Sequence, residues 1–128
     1  MPRKPSATPT EVELEILQVL WQRGSSTVRQ IFNILKPKRG TRYSTTLKMM
    51  QVMTEKGLVR KDESVRPQLY RPARPREQTQ LQLVDHLIQK GFGGSAVDLV
   101  LRAAAANRIT TDDLAQIKRM IDKAKGKR

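Results

Sequence analysis

The stretch Ser44-Thr-Thr-Leu-Lys-Met-Met-Gln-Val-Met-Thr-Glu-Lys-Gly57, followed by Leu58-Val-Arg-Lys-Asp-Glu63, Ser64-Val-Arg-Pro67 and Gln68-Leu-Tyr-Arg-Pro72, decides the fold. Its first part has a helical rhythm. Ser44 is placed to cap a helix, Leu47, Met50 and Met53 recur at a spacing that faces a core, and Gly57 closes the run. Thr45, Lys48, Val52 and Glu55 then take the opposite face. The second part reads as two short strands, 58–63 and 68–72, joined by the turn Ser64 to Pro67, which makes a β-hairpin.

Two further helices precede this pair. Thr10 supplies an N-cap hydroxyl and Glu13 stands three residues on, the spacing of a capping box, ahead of an apolar face formed by Val12, Ile16, Val19 and Leu20 with Leu14, Leu17 and Trp21. Gly24 ends that helix. Thr27 and Gln30 repeat the box, Val28, Ile31, Phe32 and Leu35 share a face, and Pro37 is expected to stop the second helix. Residues 36–42 then form a basic connecting loop. Three helices and a hairpin make a winged helix-turn-helix, expected over residues 10–74, behind a disordered basic arm of residues 1–9 that holds three prolines.

Past Pro75 the pattern is purely helical. One segment presents Leu81, Val84, Leu87 and Ile88, a second carries Leu99 behind a Ser95/Asp98 cap, and a third presents Leu114, Ile117 and Ile121 behind a Thr110/Asp113 box. Ile109 is placed to staple against Leu114, and residues 123–128 read as a frayed basic tail. About fifty residues bury too little surface to hold a core alone, so residues 75–128 are expected to form a helical dimerisation domain whose apolar faces meet a second copy. The fold class is therefore mainly α, a winged helix followed by three helices.

Composition points to the partner. The chain has 25 Lys+Arg against 12 Asp+Glu, a formal charge of +13, which favours a polyanion. The charge is uneven: residues 1–35 carry four basic groups and three acidic, whereas 36–74 carry eleven and three, a net +8. No apolar run approaches the roughly 20 residues that span a bilayer, and Met1-Pro-Arg-Lys-Pro-Ser lacks the apolar core of a signal peptide, so a cytoplasmic protein without membrane insertion is expected. Without cysteine there are no disulfides or thiolate sites, and the single histidine, His86, reads as a solvated or helix-packing residue. No metal or cofactor is expected.

A helix enters the major groove and reads base edges with its N-terminal side chains, while wing cations meet phosphates or the minor groove. Arg42, Tyr43, Ser44, Thr45, Thr46 and Lys48 suit the first task, and Lys61, Arg66 and Arg71 the second. Gly91-Phe-Gly-Gly-Ser95 follows a helix and lacks a Gly-Lys-Ser/Thr ending, so it is a turn and not a phosphate loop. Glu11, Glu13 and Glu15 complement a helix dipole, and no hydroxyl has a histidine base nearby in sequence, so an enzyme is not expected. Two other readings stay open on these residues: a winged helix that binds nucleic acid without sequence preference, and a helical adaptor whose charge serves solubility.

The runs Pro9 to Trp21, Ser26 to Ile31, Tyr43 to Met50 and Glu55 to Val59, with Tyr70-Arg-Pro72 and Phe92-Gly-Gly-Ser95, together resemble the penicillinase-repressor family. The resemblance implies a bacterial homodimer that binds palindromic operators in double-stranded DNA and represses a linked operon. It places Ser44, Thr45 and Lys48 on the DNA-reading helix, Arg66 on the wing and residues 81–124 in the dimerisation domain. Two departures bear on induction. The Asn-Phe pair at which a signalling protease cuts some members is replaced in the stretch Leu99-Val-Leu-Arg-Ala-Ala-Ala105, so a protease partner is unsupported, and the cysteine-rich metal site of copper-responsive members is missing.

Overall fold

In the computed structural model, which describes residues 8–126, the first helix, α1 (Glu11–Arg23), starts where its capping box places it. The Glu13 N–H donates to Thr10 Oγ1 at 3.3 Å and the Thr10 N–H donates to Glu13 Oε1 at 2.8 Å, satisfying two of the donors that a helix start leaves free. α1 buries Ile16, Leu17 and Leu20. α2 (Val28–Arg39) opens on the second expected box, with reciprocal bonds of 2.9 and 3.1 Å between Thr27 and Gln30, and buries Val28, Ile31 and Leu35.

Pro37 does not stop α2. It sits inside the helix, and the chain turns only at Gly40, whose φ of 63° is the left-handed conformation that glycine adopts without a Cβ clash. The N–H that proline lacks would have reached the carbonyl of Asn33, an exposed residue where solvent can take its place. Most of the expected basic loop is therefore the last turn of α2, and only residues 40–42 connect it to α3 (Tyr43–Glu55).

α3 differs from expectation in phase. It starts at Tyr43 with Arg42 as N-cap, without a side-chain cap, so Ser44 is inside the helix. Thr46, Met50 and Met53 are its buried residues, whereas Leu47 is 37% exposed. At about 100° per residue, positions 46, 50 and 53 fall within roughly 60° of one another, but 47, 50 and 53 spread over about 120°. The narrower stripe is the one that packs. Thr46 enters the core at no polar penalty because its hydroxyl donates to the Arg42 carbonyl at 3.3 Å.

The hairpin pairs β1 (Val59–Asp62) with β2 (Leu69–Pro72), antiparallel, with Val59 opposite Pro72, Arg60 opposite Arg71, Lys61 opposite Tyr70 and Asp62 opposite Leu69. β2's other edge is engaged by the α1–α2 connector: Ser26 N–H donates to the Tyr70 carbonyl at 3.0 Å and Tyr70 N–H to the Ser26 carbonyl at 2.8 Å. Leu58, Val59 and Tyr70 thereby join the helical residues in one core. Three helices closed by this sheet form a winged helix.

The described residues divide into two compact units between Leu83 and Val84, a division that falls inside α4 (Arg76–Gly91). Beyond it stand α5 (Ala96–Ala105) and α6 (Thr111–Gly126). Gly93 and Gly94 both take positive φ, 55° and 87°, in the turn before α5, and Ser95 Oγ accepts the Asp98 N–H at 3.0 Å. The Thr110/Asp113 box is present, with bonds of 2.9 and 3.0 Å. α6 continues to Gly126, past the start of the expected frayed tail. Most of the expected arm, residues 1–7, and the last two residues lie outside the described residues.

Candidate nucleic-acid interface

The short α2–α3 connection leaves the first two turns of α3 with one side in the core and the other in solvent. Arg42, Ser44, Thr45 and Lys48 are exposed, and so are Leu47 and Gln51 on the same helix. Thr46 is the exception among the residues expected to meet bases: at 0% exposure, with its hydroxyl turned back to the Arg42 carbonyl, it serves the core. Ser44, Thr45 and Lys48 also form one rim of a groove of about 560 Å³ whose other rim is the start of α1, with Val12, Met49 and Val52 among its lining. Gln51, which the sequence pattern did not single out, is exposed on the outer face of α3. The helical phase set by Thr46 instead of Leu47 would have found it.

Tyr43 is half-buried and lies beneath Arg29 of α2, whose guanidinium carbon is 4.2 Å from the ring centroid. The Phe32 ring meets Tyr43 edge to face at 5.5 Å and 75°, with Arg29 and the Lys36 ammonium each 5.6 Å from the Phe32 centroid.

Of the cations in residues 36–74, some are already matched within the fold. Lys56 Nζ reaches Glu13 Oε1 at 2.6 Å, and both side chains are under one-tenth exposed. Burial alone would raise the Glu13 carboxyl, yet hydrogen bonds from Lys56 and from the Thr10 backbone, with the nearby ammonium charge, hold it below its ordinary 4.5. Arg39 Nε donates to Glu15 Oε2 and a second guanidinium nitrogen lies 3.6 Å from Glu11, so this charge ties α2 to α1. Lys61 pairs with Glu63 at 3.0 Å, a bond that raises the lysine and lowers the glutamate.

The wing keeps its remaining cations outward. Asp62 accepts from both the backbone N–H and the hydroxyl of Ser64, which lowers its carboxyl and shapes the tip. Arg66 and Arg71 are exposed, as is Arg60, which the sequence reading did not single out. Arg60 stands directly opposite Arg71 in the ladder. Like charges at that spacing disfavour the hairpin and favour any polyanion that lies across it. The register alone brings this pair together.

In the residues expected to dimerise, Leu81, Val84, Leu87, Leu114, Ile117 and Ile121 are exposed, Leu81 at 70%, while Ile88 and Leu99 are partly covered. α5 and α6 contain no buried residue. Among the described residues no cluster of His, Asp or Glu could hold a metal ion, and no helix is long and apolar enough to cross a membrane.

Residues 9–123 match the family of penicillinase repressors, from the residue before the α1 cap into α6. The chain belongs to that family. Its members are transcriptional repressors, and the winged helix followed by three helices is the fold that the sequence predicted. None of the curated proteins compared matches the chain.

Proposed function

We propose that this protein is a homodimeric repressor that binds a palindromic operator in double-stranded DNA and silences a linked operon. The observation that carries the reading is the exposed start of α3, where Arg42, Ser44, Thr45 and Lys48 stand clear of the core beside a wing bearing Arg60, Arg66 and Arg71, in a chain of a repressor family. α3 enters the major groove, Thr45, Lys48 and Gln51 meet base edges, and the wing cations meet phosphates or the adjacent minor groove. Residues 10–74 form the DNA-binding domain and 75–128 the dimerisation domain. The support for pairing is the apolar surface that α4 to α6 leave exposed, including Leu87, Leu101, Leu114 and Met120. Two copies related by a two-fold axis present two reading helices to two half-sites. The protein acts in the cytoplasm, without catalysis.

Genome-wide mapping of bound sites followed by footprinting tests this. Two protected half-sites, resistant to a roughly 10³-fold excess of unrelated duplex, are expected. Thr45→Ala with Lys48→Ala should abolish that preference while sparing the fold, since both residues are exposed. A footprint without half-site symmetry, or near-full promoter binding by the double variant, overturns it.

A further inference from the structure

We propose that Arg29, at the start of α2, is a contact to a DNA phosphate, and that the Tyr43 ring at the start of α3 positions its guanidinium for that contact. This rests on the reading that the α3 face binds duplex DNA. It adds a residue that neither the reading helix nor the wing contains.

Three observations carry it. The guanidinium carbon lies over the Tyr43 ring, 4.2 Å from its centroid and well within cation–π range, and Phe32 flanks the pair with its centroid 5.6 Å from the same carbon. A guanidinium lying over a ring has five N–H donors, more than the ring can engage, so a fork that matches the oxygens of a phosphate remains. Second, Arg29 forms no ion pair and no side-chain hydrogen bond among the described residues, in contrast to Arg39 on the same helix, which is matched by Glu11 and Glu15. Among the described residues its charge meets only aromatic rings, and its N–H groups meet no carboxylate or carbonyl. Third, Arg29 occupies the first turn of a 12-residue helix that has no acidic residue there. A cation in a first turn opposes the helix dipole, so helix stability does not account for it, while arginine and dipole together attract an anion.

The ring places this cation beside the residues expected to meet DNA. Tyr43 directly precedes the exposed Ser44 and Thr45, so a guanidinium lying over it sits at the edge of the reading helix, where a helix-turn-helix meets the backbone flanking its bases. Tyr43, expected from sequence to touch DNA itself, is on this account a positioning residue.

The test measures binding of the full-length protein to a duplex of arbitrary sequence, because a phosphate contact is blind to sequence. Fluorescence anisotropy titrations at several salt concentrations between about 50 and 200 mM give affinity and the slope of log K against log salt. Arg29→Ala is expected to weaken binding at low salt by about tenfold or more, and to shrink the slope by about 0.9 for each arginine removed. Arg29→Lys should keep the slope but bind more weakly than wild type, since the charge remains without the fork. Tyr43→Phe should match wild type, and Tyr43→Leu should lose affinity with its slope retained. Thermal unfolding of each variant identifies any loss due to misfolding. Wild-type affinity and slope for Arg29→Ala overturn the phosphate contact and leave the repressor reading standing. Equal losses in Tyr43→Phe and Tyr43→Leu overturn the positioning role, because the hydroxyl would then be the contact. A wild-type protein that ignores duplex at low salt overturns the DNA-binding reading and this proposal with it.

Discussion

Replacing Lys56 by methionine should destabilise the winged helix far more than exchanging a charged side chain on its surface. Lys56 and Glu13 are 43 positions apart in the chain, lie 2.6 Å apart in space and are both under one-tenth exposed. At that distance and an effective dielectric constant of about 20, their gross attraction is about 6 kcal/mol, of the same order as the cost of taking two ions out of water. The intact pair therefore contributes little net stability. Its removal by halves is different. With Lys56→Met, the Glu13 carboxylate stays buried without its partner, which costs about 3–5 kcal/mol. That is a large share of the roughly 5–15 kcal/mol that holds a domain together.

Trp21, the only tryptophan, packs against the same core, so its fluorescence in urea reports this unit. For a slope near 2 kcal/mol per molar urea, the midpoint should fall by about 2 M. Glu13→Gln combined with Lys56→Met should recover most of the loss, since the glutamine can still accept the Thr10 N–H. The pH dependence gives an independent sign. In the wild type Glu13 is held below its ordinary 4.5, so its contribution is present above that value and disappears as pH falls through the depressed one. In Lys56→Met burial is opposed only by the Thr10 bonds, so the carboxyl moves up from its wild-type position and the variant should gain stability relative to the wild type as pH drops from 7 to 5. A variant within about 1 kcal/mol of wild type at pH 7, with no such gain, would refute the reasoning.

The phase of α3 can be checked by truncation: Met50→Ala should cost about 2–5 kcal/mol in the same urea assay, and Leu47→Ala under about 1 kcal/mol. Gly40→Ala should cost about 1–2 kcal/mol although nothing stands within 4 Å of the added Cβ, because its φ of 63° is left-handed; a neutral result would mean the turn relaxes. Sedimentation equilibrium should give a dimer for the wild type and a monomer for Leu114→Asp with Ile117→Asp, both exposed apolar positions on α6. Finally, a dimer that neutralises about ten phosphates should lose on the order of 10⁵-fold in affinity between 50 and 200 mM salt, and a flat titration would contradict a phosphate-dominated interface.

What the sequence by itself determined about this protein is its local architecture. A capping box needs only residues three apart, so Thr10 with Glu13, Thr27 with Gln30 and Thr110 with Asp113 announced three helix starts at their true positions. The hairpin was equally legible, because its two runs and its turn are contiguous. The tertiary structure alone decided which face of α3 is buried: Leu47 outranks Thr46 in hydrophobicity, but Thr46 aligns with Met50 and Met53 and has a backbone carbonyl for its hydroxyl. It also decided which cations are matched by carboxylates within the fold. Lys56, Arg39 and Lys61 look like equals of Lys48 in a list of charges, yet each has a carboxylate supplied by the fold, while Arg29 lies over Tyr43 and Arg60 faces Arg71. Except for Lys61 with Glu63, two positions apart on the wing, these pairings join residues far apart in the chain, and their energies depend on distance and burial, which exist only once the chain has folded.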